Sequence, residues 1–103
     1  MDIGLRDKGA IVTAASRDLG LATACSLARE GLNVTMNARA ADALEEAASG
    51  IRSDFDVEVI AVAADFNEKE GRDALIEAAG IPDILVNNPG VALAGAIDAA
   101  VLV

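Results

Sequence analysis

The residues best placed to do chemistry lie in one short run, Thr13-Ala-Ala-Ser-Arg-Asp-Leu-Gly20, which follows an apolar stretch and opens a helical pattern. A strand that feeds a turn and then a helix can aim backbone N–H groups at a pyrophosphate. The first N–H groups of a helix lack internal partners, and the helix dipole favours an anion there. Thr13, Ser16, Arg17, Asp18, Leu19 and Gly20 are therefore the candidate residues of an anion-binding turn. Such turns are usually rich in glycine so that the backbone can approach the ligand. Here Ala14 and Asp18 stand at two of those positions, and Gly20 keeps the third. Ala14 adds a methyl group and is harmful only if its φ must be positive. Asp18 brings an anion of its own: against a phosphate about 4 Å away it costs about 4 kcal/mol at an effective dielectric of about 20, a several-hundredfold loss of affinity. It can equally serve as a helix N-cap worth about 1 kcal/mol, and the two roles can coexist.

Little else in the chain suggests catalysis. Cys25 has no histidine anywhere in the sequence to activate it, and a lone thiol without histidine makes a poor transition-metal site. There is no tyrosine, and no acid–base pair with an orienting partner stands out. The acidic clusters Glu45-Glu46 and Glu68-Lys69-Glu70 read as solvated helix faces.

The elements that must position the turn alternate strictly. Strands are expected near Ala10–Thr13, Asn33–Asn37, Val57–Ala63 and Asp83–Asn87, and helices near Asp18–Glu30, Ala41–Asp54 and Glu68–Ala79. On the first helix Gly20, Thr23, Ala24 and Leu27 share a face, and Gly31 ends it. On the second, Leu44, Ala48, Ile51 and Phe55 form an apolar stripe, with Asp42 and Glu45 as a capping pair and Gly50 costing roughly 1 kcal/mol against alanine. Asn67 is expected to cap the third, and Gly80 and Pro82 to stop it. The pattern predicts a single α/β domain over residues 1–103: a Rossmann-like half-sheet of parallel strands in the order 3-2-1-4 with helices on both faces.

Composition narrows the partners. The net charge is −9, and none of the eight basic residues follows Arg72, which argues against nucleic acid and anionic membranes. One cysteine permits no internal disulfide and fits a reducing cytoplasm. Asp2, Arg6, Asp7 and Lys8 interrupt any signal-like apolar run, and the apolar tail Val91–Val103 is shorter than the roughly 20 residues of a spanning helix. A soluble cytoplasmic protein is the expectation.

Four landmarks, Thr13 to Gly20, Asn37-Ala-Arg39, Ala64-Asp65 and Asn87-Asn-Pro-Gly90, occur in an order and spacing that resembles the N-terminal portion of short-chain dehydrogenases/reductases. The likeness runs from Leu5 to about Asp98 and is greatest to the branch that includes 3-oxoacyl-[acyl-carrier-protein] reductases. It implies an NADP cofactor. Arg17 and Arg39 would clasp the 2′-phosphate, with Ala38 where NAD-preferring relatives carry an acid. Asp65, with Phe66 beside it, would face the adenine, and Asn87 and Gly90 would pass near the ribose. Pro89 departs from the family pattern and removes an N–H. The family's chemistry uses a Ser and a Tyr-x-x-x-Lys set after the fourth strand, which this sequence does not contain, so no catalytic residue is assigned. The implied protein is a cofactor-binding half truncated before its catalytic residues, inactive alone, with NADP binding weakened or lost. The alternative is a self-associating structural module, or an engineered fold fragment, that binds no nucleotide. In the family the fourth strand is interior. An open edge at Ile84-Leu85-Val86 is therefore expected, with a homodimer through the fourth strand and the tail, unless the tail folds back and leaves a monomer.

Overall fold

Apolar strands short enough to be covered on both faces alternate with helices whose apolar residues recur every three and four positions, so each crossover returns the chain to the same end of a parallel sheet. The structure is a computed structural model and describes residues 8–15, 18–65, 68–80, 82–86 and 101–102. The elements are β1 (Gly9–Val12), α1 (Asp18–Arg29), β2 (Asn33–Ala38), α2 (Ala41–Asp54), β3 (Val59–Ala63), α3 (Lys69–Ala79), β4 (Ile84–Val86) and β5 (Val101–Leu102). The sheet order is β3-β2-β1-β4-β5, with every pairing parallel. The expected order 3-2-1-4 stands. At the amino end of β1, the Gly9 N–H donates to the Asp83 carboxylate (2.9 Å) and the Asp83 N–H donates back to the Gly9 carbonyl (2.8 Å).

Alternation along the strands divides the core in two. Val12, Val34, Met36, Val59 and Val86 pack against Ala24 and Ala28 of α1 and Leu44, Ala48 and Ile51 of α2. On the opposite face Ile11 and Leu85 pack against Leu75 of α3, with Val62 and Ala79 at the margin. Each fully buried Leu or Ile contributes about 1.5–3 kcal/mol. Of the predicted stripe Leu44, Ala48, Ile51 and Phe55, the first three are buried as expected, and Phe55, the C-cap residue beyond the helix, packs half-buried against the same core. On α1, Gly20, Ala24 and Ala28 are buried and Leu27 packs half-buried on the same core, while Thr23 turns its hydroxyl back to the Leu19 carbonyl (2.8 Å). Gly31, at φ 90°, and Gly80, at φ 71°, take the left-handed region that ends their helices.

Four expectations need correction. The outer edge of β4 is not open: β5 pairs with it, Ile84 with Val101 and Leu85 with Leu102, which removes the unpaired edge on which a dimer through the fourth strand was premised. The Asp42–Glu45 capping pair does not form. The N-cap of α2 is Ala40, which has no side-chain oxygen to offer. Asp42 instead sits in the first turn, where its charge favours the dipole, and Glu45 pairs with Arg52 (2.7 Å). β3 begins at Val59 rather than Val57, because residues 55–57 turn the chain and the Glu58 N–H is taken by the Asn33 side chain (3.0 Å). α3 begins at Lys69, with Glu68 as its N-cap and no side-chain cap bond; Asn67, the expected cap, lies outside the described residues.

Two residues join elements in ways their types alone do not announce. Arg52 donates from Nε (3.1 Å) and Nη2 (2.9 Å) to the Val59 carbonyl, fastening the end of α2 to the start of the edge strand β3. Gly71 lets the first turn of α3 lie on the backbone of Asp65, where a Cβ would collide with the Asp65 carbonyl. Gly50, by contrast, faces open space. Gly50→Ala is therefore expected to stabilise the fold by about 0.5–1 kcal/mol, the helix-propensity difference. Gly71→Ala is expected to destabilise it by about 1–3 kcal/mol through overpacking. Urea midpoints of the two variants against the unmodified chain measure both; shifts of the same sign contradict the assignment.

Candidate functional site

The carboxyl ends of β1, β2 and β3 meet at one edge, beside the point where the strand order reverses between β1 and β4. In open α/β sheets ligands bind at that crevice. The first turn is held from both sides. The Thr13 N–H donates to the Val86 carbonyl of β4 (3.0 Å), and the Ala15 N–H donates to the Asn37 carbonyl of β2 (2.9 Å). The Thr13 side chain is buried, its hydroxyl 3.4 Å from the same Val86 carbonyl, so it braces the β1–β4 junction. Between these anchors Ala14 takes φ +51°, the left-handed conformation that favours glycine. The methyl group is thus placed where the backbone least welcomes it. Gly20, the third residue of α1, lies against the turn so closely that a Cβ would collide with the Ala14 carbonyl. Leu19 beside it is 67% exposed. α1 starts at Asp18, so that residue opens the first helical turn rather than preceding it.

The second and third turns are joined through Asn37. This residue is 2% exposed, and its carboxamide donates to the carbonyls of Val62 (3.0 Å) and Ala64 (3.2 Å). The Ala64 N–H donates in turn to the Ala38 carbonyl (3.1 Å). Continuing the β2–β3 register by one residue in this way sets Arg39 opposite Ala64, next to Asp65, and brings the two side chains within reach. Arg39 Nη1 lies 3.9 Å from Asp65 Oδ2, with side chains 77% and 33% exposed. Such an exposed, single-contact pair adds little to stability and leaves the guanidinium able to turn to another anion. The nearby Lys69 ammonium is engaged by Asp73 (2.7 Å), and the hydrogen bond to Asp73 raises its pKa above the ordinary lysine value.

Of the sequence-predicted site residues, Thr13, Leu19 and Gly20 are gathered at the first turn, and Arg39 and Asp65 at the second and third. Ser16, Arg17, Phe66, Asn87 and Gly90 lie outside the described residues, as does the side chain of Asp18. Sequence reasoning missed the positioning role of the Asn37 side chain. The signal was present: an amide at the end of an otherwise apolar run must find partners if it is buried. A cavity of about 210 Å³ lies at the other end of the strands, among Gly9, Asn33, Glu58 and Pro82, away from the three turns. Among the described residues no group of three or more His, Cys, Asp or Glu could hold a metal ion.

Two substitutions test the turn. Ala14→Gly relieves a left-handed alanine and is expected to stabilise the fold by up to about 1 kcal/mol, after glycine's own entropic cost. Asn37→Ala strands two carbonyls and is expected to cost about 1–3 kcal/mol. Chemical denaturation quantifies both, and a destabilised Ala14→Gly variant contradicts the strain at that turn.

The model of the family described as "short chain dehydrogenase" matches residues 8–101. Gluconate 5-dehydrogenase of Gluconobacter oxydans (strain 621H) is 37% identical over 89 residues, which is 80% of this chain and 33% of that protein. The 3-dehydrosphinganine reductase of Arabidopsis thaliana is 35% identical over 89 residues, 86% of this chain and 27% of that protein. Among solved structures, the L-sorbose reductase of Gluconobacter frateurii, complexed with NADPH and L-sorbose, is similar with a TM-score of 0.83 and 42% identity over 88% of this chain and 36% of that one. The chain thus spans about a third of the length of these relatives, whose substrates differ enough that no branch is distinguished. By its sequence and by the arrangement of its sheet, the chain belongs to the short-chain dehydrogenase family.

Proposed function

We propose that this chain is the NADP(H)-binding portion of a short-chain dehydrogenase-type oxidoreductase. The observation that carries this reading is the first turn: Gly20 lets the start of α1 lie directly on the Ala14 carbonyl, with Ala14 in the left-handed region, at the sheet edge where Arg39 also lies. The residues fit a dinucleotide. The turn at Thr13, Ser16, Leu19 and Gly20 would meet the pyrophosphate. Arg39 with Arg17 would bind the 2′-phosphate, and no acid stands at Ala38 to receive a 2′-hydroxyl instead. Asp65 and Phe66 would border the adenine, and Asn87 and Gly90 the ribose. The NADPH held by the L-sorbose reductase relative supports this choice of cofactor. The nicotinamide supplies a hydride when bound; the residues present bind and orient it. They include no tyrosine, and their lysines are Lys8 and Lys69, so the proton-transfer groups of the reaction are not among these 103 residues.

Asp18 is the residue that opposes the reading, because it brings a carboxylate-bearing residue to the first turn of the helix that would receive the pyrophosphate. Asp18→Gly is expected to tighten NADP(H) at least about tenfold, a fraction of the repulsion between two charges in contact. Calorimetry at low salt measures it, with thermal melts run alongside because the helix also loses a favourable first-turn charge. Equal or weaker binding by the glycine variant rejects the role. The chain alone is expected to show no protein-dependent oxidation of NADPH with ketone or acyl substrates; turnover abolished by heat denaturation contradicts this.

The second reading, a self-associating module without nucleotide, has lost the open β4 edge and now needs the outer edge of β5. Light scattering over a dilution series addresses it: a monomeric mass at high micromolar concentration removes it. No helix among the described residues is long and apolar enough to cross a membrane. The single cysteine, Cys25, supports a cytoplasmic setting.

A further inference from the structure

The Arg39–Asp65 contact ties together two residues that a dinucleotide would otherwise meet separately. Arg39 follows β2 and Asp65 follows β3, and their spacing is set by backbone rather than by the pair itself. The Ala64 N–H holds the Ala38 carbonyl (3.1 Å), and the Asn37 carboxamide holds the carbonyls of Val62 and Ala64. The glycine approach at Gly71 fixes Asp65 from the other side, with α3 resting on its carbonyl. Asp65 cannot retreat without moving that helix. The guanidinium, 77% exposed, is the mobile member. An anion that Arg39 takes up meets a guanidinium whose neighbour is a carboxylate carried on a fixed backbone.

We propose that Asp65 is a specificity-determining residue that competes with the 2′-phosphate for Arg39 and so moderates the preference of this chain for NADP(H) over NAD(H). The inference rests on the nucleotide-binding reading above. The two nucleotides differ at the 2′ position alone, so a carboxylate beside Arg39 penalises the phosphorylated one and leaves the other nearly untouched. A carboxamide at position 65 keeps an acceptor oxygen for the adenine amino group and removes only the charge, which separates this role from adenine recognition. The contact is long and made by a single nitrogen of an exposed guanidinium, so the pair itself adds little to stability.

The test is a titration of the unmodified chain, Asp65→Asn and Asp65→Glu with NADPH and with NADH, each also in an Arg39→Ala background, by calorimetry at low and at high salt. Asp65→Asn is expected to tighten NADPH by about three- to tenfold while changing NADH by less than about twofold, and the gain is expected to shrink in high salt. Asp65→Glu is expected to keep the original ratio. In the Arg39→Ala background the selective gain is expected to vanish, since the competition has lost its object. Equal shifts for the two nucleotides, or a gain that survives Arg39→Ala, overturn the inference and leave the nucleotide-binding reading standing. Binding of neither nucleotide by the unmodified chain and all variants overturns both. Should Asp65→Asn fail to fold, an NADPH-to-NADH preference that Asp65→Ala leaves unchanged counts against the inference.

Discussion

The buried Asn37 side chain and its backbone together hold the three turns of the site edge. Its carbonyl accepts the Ala15 N–H of the first turn, and its carboxamide donates to Val62 and Ala64 at the third. Each such bond is worth about 0.5–1.5 kcal/mol net, but removing the amide leaves buried acceptors unsatisfied at a greater cost. Position matters more than the sum. β2 lies between β1 and β3, so one residue at its carboxyl end can reach the turn on either side, and no residue of an edge strand could do the same.

Two glycines complete the arrangement by the same means. Gly20 is the third residue of α1 and lies against the Ala14 carbonyl six positions earlier. Gly71 is the third residue of α3 and lies against the Asp65 carbonyl, also six positions earlier. In each case a helix start is pressed onto the turn that feeds it, at the carboxyl edge of the sheet. At the first turn this close approach is made without the glycine that suits a left-handed position best: Ala14 holds a left-handed φ with a methyl group attached.

Charge and edge protection act on the periphery. Arg52 spends two donors on the Val59 carbonyl at the start of edge strand β3 and a third on Glu45, and β5 covers β4 on the far side. Unpaired strand edges invite association; β5 covers the β4 edge, and Arg52 occupies one carbonyl of the β3 edge. The Arg39–Asp65 pair lies between these extremes, exposed enough to be exchanged and held by a backbone that is not.

Period and punctuation in the sequence determined the order of elements, the α/β class, the strand order and the Leu44, Ala48, Ile51 stripe, because hydrophobic spacing and Gly31 or Gly80 act locally. Motif order determined the family and put Thr13, Gly20, Arg39 and Asp65 on the candidate list. Tertiary structure alone decided the rest. Whether Ala14 needed a positive φ depended on anchors at Val86 and Asn37, which lie 72 and 23 residues away. The Asp42–Glu45 cap failed because the chain enters α2 through Ala40, and Glu45 found Arg52 instead. That Arg39 meets Asp65 and that β5 pairs with β4 are contacts between residues far apart in the chain, and no local pattern encodes them. Local propensity fixes what each segment becomes; which side chains then share an edge follows from the register between strands, and register is a property of the assembled sheet.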